Sequence, residues 1–112
     1  MRVQVNTDKN VEGRGKLVRQ VEAQISAALA RFSNQITRIE VHLGDENAGK
    51  SGGADKRCML EARPAGREPV SVSHHAATVD EALTGATQKL KNLLESSFGR
   101  LDDRRKRLRP GR

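Results

Sequence analysis

Tryptophan and tyrosine are absent from the 112 residues, and phenylalanine occurs only as Phe32 and Phe98. Proteins that read the bases of single-stranded RNA stack them on exposed rings, so this chain falls outside that class. A polyanion held here would be gripped by backbone and shape. The single cysteine, Cys58, cannot form an internal disulfide and fits a reducing compartment. Uncharged apolar runs are a few residues long, too short to cross a bilayer. The opening Met1-Arg2-Val3-Gln4-Val5-Asn6 has no apolar leader region. The expectation is a cytoplasmic protein with one domain and one core.

Positive charge is what the chain has in excess. Twenty-one Lys and Arg against 14 Asp and Glu give a net +7 and a pI near 10.3. Such a balance points to polyanions, nucleic acid before anionic membrane. Between Arg100 and Arg112 lie Arg100, Arg104, Arg105, Lys106, Arg107, Arg109 and Arg112, opposed by Asp102 and Asp103. That stretch carries +5, leaving 14 basic and 12 acidic residues in the first 99. Clustered like charges repel, and a polyanion relieves the repulsion. A solvated tail is the competing reading. Membrane insertion is disfavoured, because only Leu101 and Leu108 accompany those charges.

The apolar pattern predicts four strands and two helices. Val3 and Val5 alternate with Arg2, Gln4 and Asn6, a short strand. Leu17, Val18, Val21, Ile25, Ala28, Leu29 and Phe32 recur at helical spacing and form one stripe, ended by Ser33-Asn34. From Ile36 to Leu43 alternation returns, with Ile39, Val41 and Leu43 inward and Arg38, Glu40 and His42 outward. A glycine-rich loop, residues 44–55, leads to a third strand, Lys56 to Arg63. Its Cys58, Leu60 and Ala62 face inward. After Pro64, Gly66 and Pro69 a fourth strand turns Val70 and Val72 inward. Thr78-Val79-Asp80-Glu81 is a capping box, Thr78 the N-cap and Glu81 at the third helical position. The helix behind it buries Val79, Ala82, Leu83, Ala86, Leu90, Leu93, Leu94 and Leu101, with Gly99 a point where it ends or kinks. The fold class is therefore α+β, in the order β-α-β-β-β-α. The sheet is four-stranded and mixed, with both helices on one face and the other face polar. A domain over residues 1–101 carries a basic, flexible tail over residues 102–112.

Catalysis has no visible seat, and no enzyme activity is expected. His74 and His75 are adjacent and point opposite ways in a strand, so they cannot chelate one ion; no metal and no other cofactor is expected. Cys58 on an inward position is a small core residue. Asp45-Glu46 sits among glycines with nothing to shift a carboxyl. Gly49-Lys50-Ser51 has the ending of a phosphate loop but precedes a strand where a phosphate loop precedes a helix. On the second helix, Lys89, Asn92, Ser96, Arg100 and Arg107 share one flank beside the stripe. Such a polar edge suits a run of phosphates and 2′-hydroxyls.

Taken together, the opening strand Val3-Gln4-Val5-Asn6, the segments Ile39 to Leu43 and Lys56 to Arg63, and Thr78-Val79-Asp80-Glu81-Ala82-Leu83 with Gln88-Lys89-Leu90 carry a resemblance. Over residues 2 to 101 the chain resembles the ribosome hibernation promoting factors, also called sigma-54 modulation proteins. The resemblance implies a translation inhibitor of resting or stressed cells, bound to small-subunit rRNA near the decoding centre. The alternative is a modulator of sigma-54-dependent transcription acting through protein contacts. Lys89 and Arg100 match basic positions of the family's second helix. Arg104, Arg105 and Arg107 of the tail and Lys56, Arg57 and Arg63 of the third strand complete the candidate rRNA contacts. Asn92 and Ser96 stand where family members often carry basic residues, and Ala76 where an aromatic is common. Lacking the dimerisation domain of long-form members, the chain resembles a short form and is expected to be monomeric when free, with no membrane or small-molecule partner.

Overall fold

The computed structural model describes residues 1–7, 14–45 and 56–108, with side chains described for all of these except Arg14 and residues 98–108. Strand β1 (Arg2–Thr7) precedes helix α1 (Arg14–Ala28) and a 3-10 turn at Ala30–Phe32. Then come β2 (Ile36–Asp45), β3 (Lys56–Pro64), β4 (Val70–Ala76) and α2 (Val79–Leu108). The order is the expected β-α-β-β-β-α. Neighbouring strands β1 and β2 are parallel, which their connection through α1 permits; β2, β3 and β4 form an antiparallel meander, and the sheet runs β1-β2-β3-β4.

Register aligns the inward residues across the sheet: Val5 opposes Val41, Val41 opposes Leu60, and Leu60 opposes Val72. Against that surface α1 and its turn lay Val21, Ile25, Leu29 and Phe32, and α2 lays Ala82, Leu83, Ala86, Leu90 and Leu94, all buried. Each fully buried Leu or Ile contributes about 1.5–3 kcal/mol relative to exposure. Leu17, Val18, Ala28 and Leu93, on the margins of the two stripes, are half-buried. Leu101 lies outside the described side chains. No helix among the described residues is long and apolar enough to cross a membrane.

One inward residue escapes simple alternation. Arg38 points outward, so a regular strand would turn Ile36 outward too, yet Ile36 is buried. The pairing explains it: Ile36 opposes Pro64 while Arg38 opposes Arg63, so Thr37 is an extra residue, a β-bulge. Its hydroxyl donates to the Arg63 carbonyl at 2.8 Å.

Helix α2 begins with Thr78 as N-cap, and Glu81 returns to the Thr78 hydroxyl where a full capping box would take the Thr78 backbone N–H. The Glu81 N–H donates to Thr78 Oγ1 at 3.1 Å, and the Thr78 hydroxyl donates to Glu81 Oε1 at 3.1 Å. The helix then runs back along β4. His74 lies beside Gly85, Lys89 Nζ donates to the Ser73 carbonyl at 2.9 Å, and Arg67 Nη2 in the β3–β4 turn donates to Ser97 Oγ at 2.6 Å. Ser97 therefore marks the end of the sheet. The helix continues through Gly99 to Leu108. A lone glycine costs a helix about 1 kcal/mol, and the Leu, Arg and Lys residues after it are strong helix formers.

Gly85 is required by a close approach. A Cβ there would overlap Cδ2 and sit 2.6 Å from Cγ of His74, so the whole ring would have to leave. Gly85→Ala is expected to destabilise the domain by about 1–3 kcal/mol, an overpacking cost larger than its gain in helix propensity. In a His74→Ala background the same substitution should become neutral or stabilising, by up to about 1 kcal/mol. Urea unfolding of the four chains of this cycle measures the coupling; additive effects would mean that the ring does not occupy that space.

Candidate nucleic-acid interface

The outward positions of the four strands form one polar sheet face, in rows set by the register. Arg2, Arg38 and Arg63 share a row; beside it run Gln4, Glu40, Glu61 and Ser71; then Asn6, His42, Met59 and Ser73; then Gly44, Arg57 and His75. Three arginines on three adjacent strands thus stand in line across the sheet, at the end where Arg67 and Ser97 meet.

Glu40 organises that row. Its Oε2 lies 2.6 Å from Arg38 Nη2 and 3.7 Å from Arg63 Nε, and its Oε1 lies 3.5 Å from His42 Nε2. Glu61 Oε1 is 3.6 Å from Arg63 Nη2. The Glu40 side chain is 18% exposed against 36% for Arg38 and 43% for Arg63, so the carboxylate lies beneath and the guanidinium groups lie outward. The Arg38 contact is short enough to fix the orientation of its planar fork, whereas Arg63 is held by ion pairing alone. Three arginines against two glutamates leave the row and its neighbour with a surplus of positive charge.

The residues singled out in the sequence do not converge on one patch. Arg57 and Arg63 lie on the open face, with Arg57 Nη2 3.8 Å from Met59 Sδ. Lys56, one residue from Arg57, shares the inward parity of Cys58 and Leu60. It sits at the opposite end of the sheet from Arg63, its Nζ 3.0 Å from Asp45 Oδ2. Lys89 belongs to the helical layer and spends one of its three donors on Ser73. On the same flank, Gln88 Nε2 donates to Asn92 Oδ1 at 3.0 Å, and Ser96 is exposed. Arg100, Arg104, Arg105 and Arg107 are in the helical backbone of α2 beyond Ser97, and their side chains lie outside the described residues. Sequence reasoning missed Arg2 and Arg38. Their outward parity was legible, but the register that lines them up with Arg63 was not.

Gly44 stands five residues before Gly49, so Gly44 to Ser51 has the full residue spacing of a phosphate loop. The topology removes that reading. Gly44 is a β2 residue opposite Arg57, and β3 begins at Lys56, so the stretch joins two antiparallel strands and the next described element is a strand, where a phosphate loop leads into a helix. Residues 46–55 lie outside the described ones.

Cys58 is 0% exposed, and burial pushes its thiol from 9.0 up to about 12. A thiol held neutral there is no nucleophile. The unfolded chain loses this proton from about pH 9, whereas the folded chain keeps it to about pH 12. The native state thus binds more protons in that window, and stability should fall as pH rises through it, by up to about 1.4 kcal/mol per unit. No tyrosine titrates alongside. Urea midpoints of the wild-type chain and Cys58→Ala, followed upwards from pH 9, test this; the wild type should lose stability more steeply, and parallel curves would argue against a buried neutral thiol.

Comparison with known proteins agrees with the fold. The Thermus thermophilus Protein Y N-terminal domain superposes with a TM-score of 0.67 at 20% identity, covering 86% of this chain and 98% of that one. A ribosomal subunit interface protein from Coxiella burnetii gives 0.63 at 13% identity, covering 88% and 99%. No curated protein sequence matches. The family model described as sigma 54 modulation protein / S30EA ribosomal protein matches residues 4–102, and with nearly the whole domain inside that match the chain belongs to this family.

Proposed function

We propose that this protein is a ribosome-associated translation inhibitor that holds small-subunit rRNA near the decoding centre in resting or stressed cells. The family match over residues 4–102 carries the reading. One of the similar solved structures supports it, being described as a ribosomal subunit interface protein. The rRNA contacts fall to Lys89 and Arg100, to Arg104, Arg105 and Arg107, and to Arg57 and Arg63, which share the open face. Lys56, also in the candidate set, has its charge opposed by Asp45. The scarcity of rings suits a partner gripped through its phosphates.

The other half of the family description favours a second reading, a modulator of sigma-54-dependent transcription acting through protein contacts. The basic C-terminal run favours RNA. Sedimentation of a stationary-phase lysate through a sucrose gradient separates the two: a ribosome ligand travels with ribosomal particles at low salt, and a transcription modulator stays near the top. Replacing Lys89 and Arg100 together by Ala should weaken ribosome binding and lower the thermal midpoint by only a few degrees, the cost of the Lys89–Ser73 bond. The slope of log affinity against log salt should fall by about 0.7–0.9 for each phosphate no longer neutralised. An unchanged slope would move the site off this flank.

A further inference from the structure

We infer that the Arg2-Arg38-Arg63 row is a second phosphate-binding strip, on the sheet face opposite the helices, that takes the backbone of a single-stranded RNA segment. The inference rests on the ribosomal reading only for the source of that RNA.

Adjacent strands stand about 4.8 Å apart, so the three arginine Cα atoms span roughly 10 Å in a line across the strands. A polyanion chain crossing the sheet there meets a guanidinium at each strand. Arg38 is held from below by Glu40 at 2.6 Å, so its fork is oriented before any ligand arrives and less side-chain freedom is lost on binding, while ion pairing at 3.6–3.7 Å keeps Arg63 beside Glu40 and Glu61. Arg38 Nε and Arg63 Nε are buried without a hydrogen-bond partner, so contact with a phosphate falls to the terminal Nη groups. Arg2 is exposed at the edge strand. The Glu40-Glu61 row also fences the strip, because a phosphate chain sliding along the strands would meet two carboxylates.

The rest of the face selects the kind of partner. Gln4, Asn6, Ser71 and Ser73 surround the charged residues, Met59 is the only large apolar side chain among the four rows, and none of their residues is Phe, Tyr or Trp; the rings are the imidazoles of His42 and His75. Protein interfaces are built around a desolvated apolar or aromatic centre, which this face lacks. Base readers stack successive bases on large rings, and this face offers only two imidazoles, on strands that are not neighbours. What remains is sequence-independent recognition of a phosphate backbone. Because Lys89 lies in the helical layer, the two surfaces hold different segments of RNA.

The test uses the full-length chain and a fluorescently labelled uridine oligomer. Arg2→Ala with Arg38→Gln should weaken binding about tenfold at low salt and lower the salt slope by about 0.7 for each phosphate released from an arginine. Because Arg38 also anchors Glu40, the Arg38→Lys, Arg63→Lys pair keeps both charges and removes only the forks; it should retain the slope yet lose affinity. Unchanged oligomer affinity in both variants, with intact thermal midpoints, overturns the strip. So does displacement of the oligomer by polyglutamate at equal charge concentration, which would mark a site for acidic protein. The gradient experiment reads the ribosomal function separately. Row-dependent oligomer binding by a chain that stays at the top of the gradient would keep the strip and sink the function; sedimentation with unaltered oligomer binding would do the reverse.

Discussion

Removal of residues 102–112 is expected to weaken binding to ribosomal particles by roughly ten- to a hundredfold at low salt, with the two affinities converging as salt rises. The deleted stretch contains six basic and two acidic residues, a change of +4 out of the net +7. Counterions released from the nucleic acid drive this part of the affinity, and added salt erodes it. The domain should survive, since Leu108 is the only large apolar residue removed and Leu101 is kept. Binding of both chains to purified ribosomes at two salt concentrations decides the matter. Equal affinity at low salt would make the stretch a solvated tail.

The largest stability effect is expected at the seam between α2 and the sheet. Leu90 is 0% exposed, and its truncation to Ala should cost about 2–5 kcal/mol, from lost transfer energy and the cavity left behind. Against a total of about 5–15 kcal/mol, that is a drop in thermal midpoint on the order of 10–20 °C. Leu93, half-buried on the margin of the same helix, should cost clearly less when truncated. Thermal unfolding followed by circular dichroism compares the two, and an equal cost would mean that α2 presents a different face.

The fold was legible because its two periodicities are clean. Alternation at Val3-Val5, Ile39-Leu43 and Cys58-Ala62 named the inward face of three strands, and the spacing of Val21, Ile25 and Leu29 named the buried line of α1. The capping box placed the start of α2 to the residue. Its end was less legible, since Gly99 is a local signal and the helix formers behind it outweigh a cost of about 1 kcal/mol. Ile36 was unreadable because a bulge is a property of two strands, and neither announces it alone. The candidate site suffered for the same reason. Charge alone ranks Lys56 with Arg57, yet a period of two sends them to opposite faces, and Lys56 meets Asp45. Arg2 and Arg38 look like ordinary outward residues until pairing places them beside Arg63.

The bulge at Thr37 also sets where this chain tolerates a change of length. Within a strand, losing one residue inverts the phase of everything on one side of the gap, sending Glu40 or His42 inward and a core residue out. Thr37 is the exception, because it is the residue counted twice. Without it, Ile36 and Arg38 become neighbours of opposite parity, as regular pairing with Pro64 and Arg63 demands. A strand one residue shorter at that point keeps every side chain on its own face, whereas the same gap three residues later turns the charged network into the core.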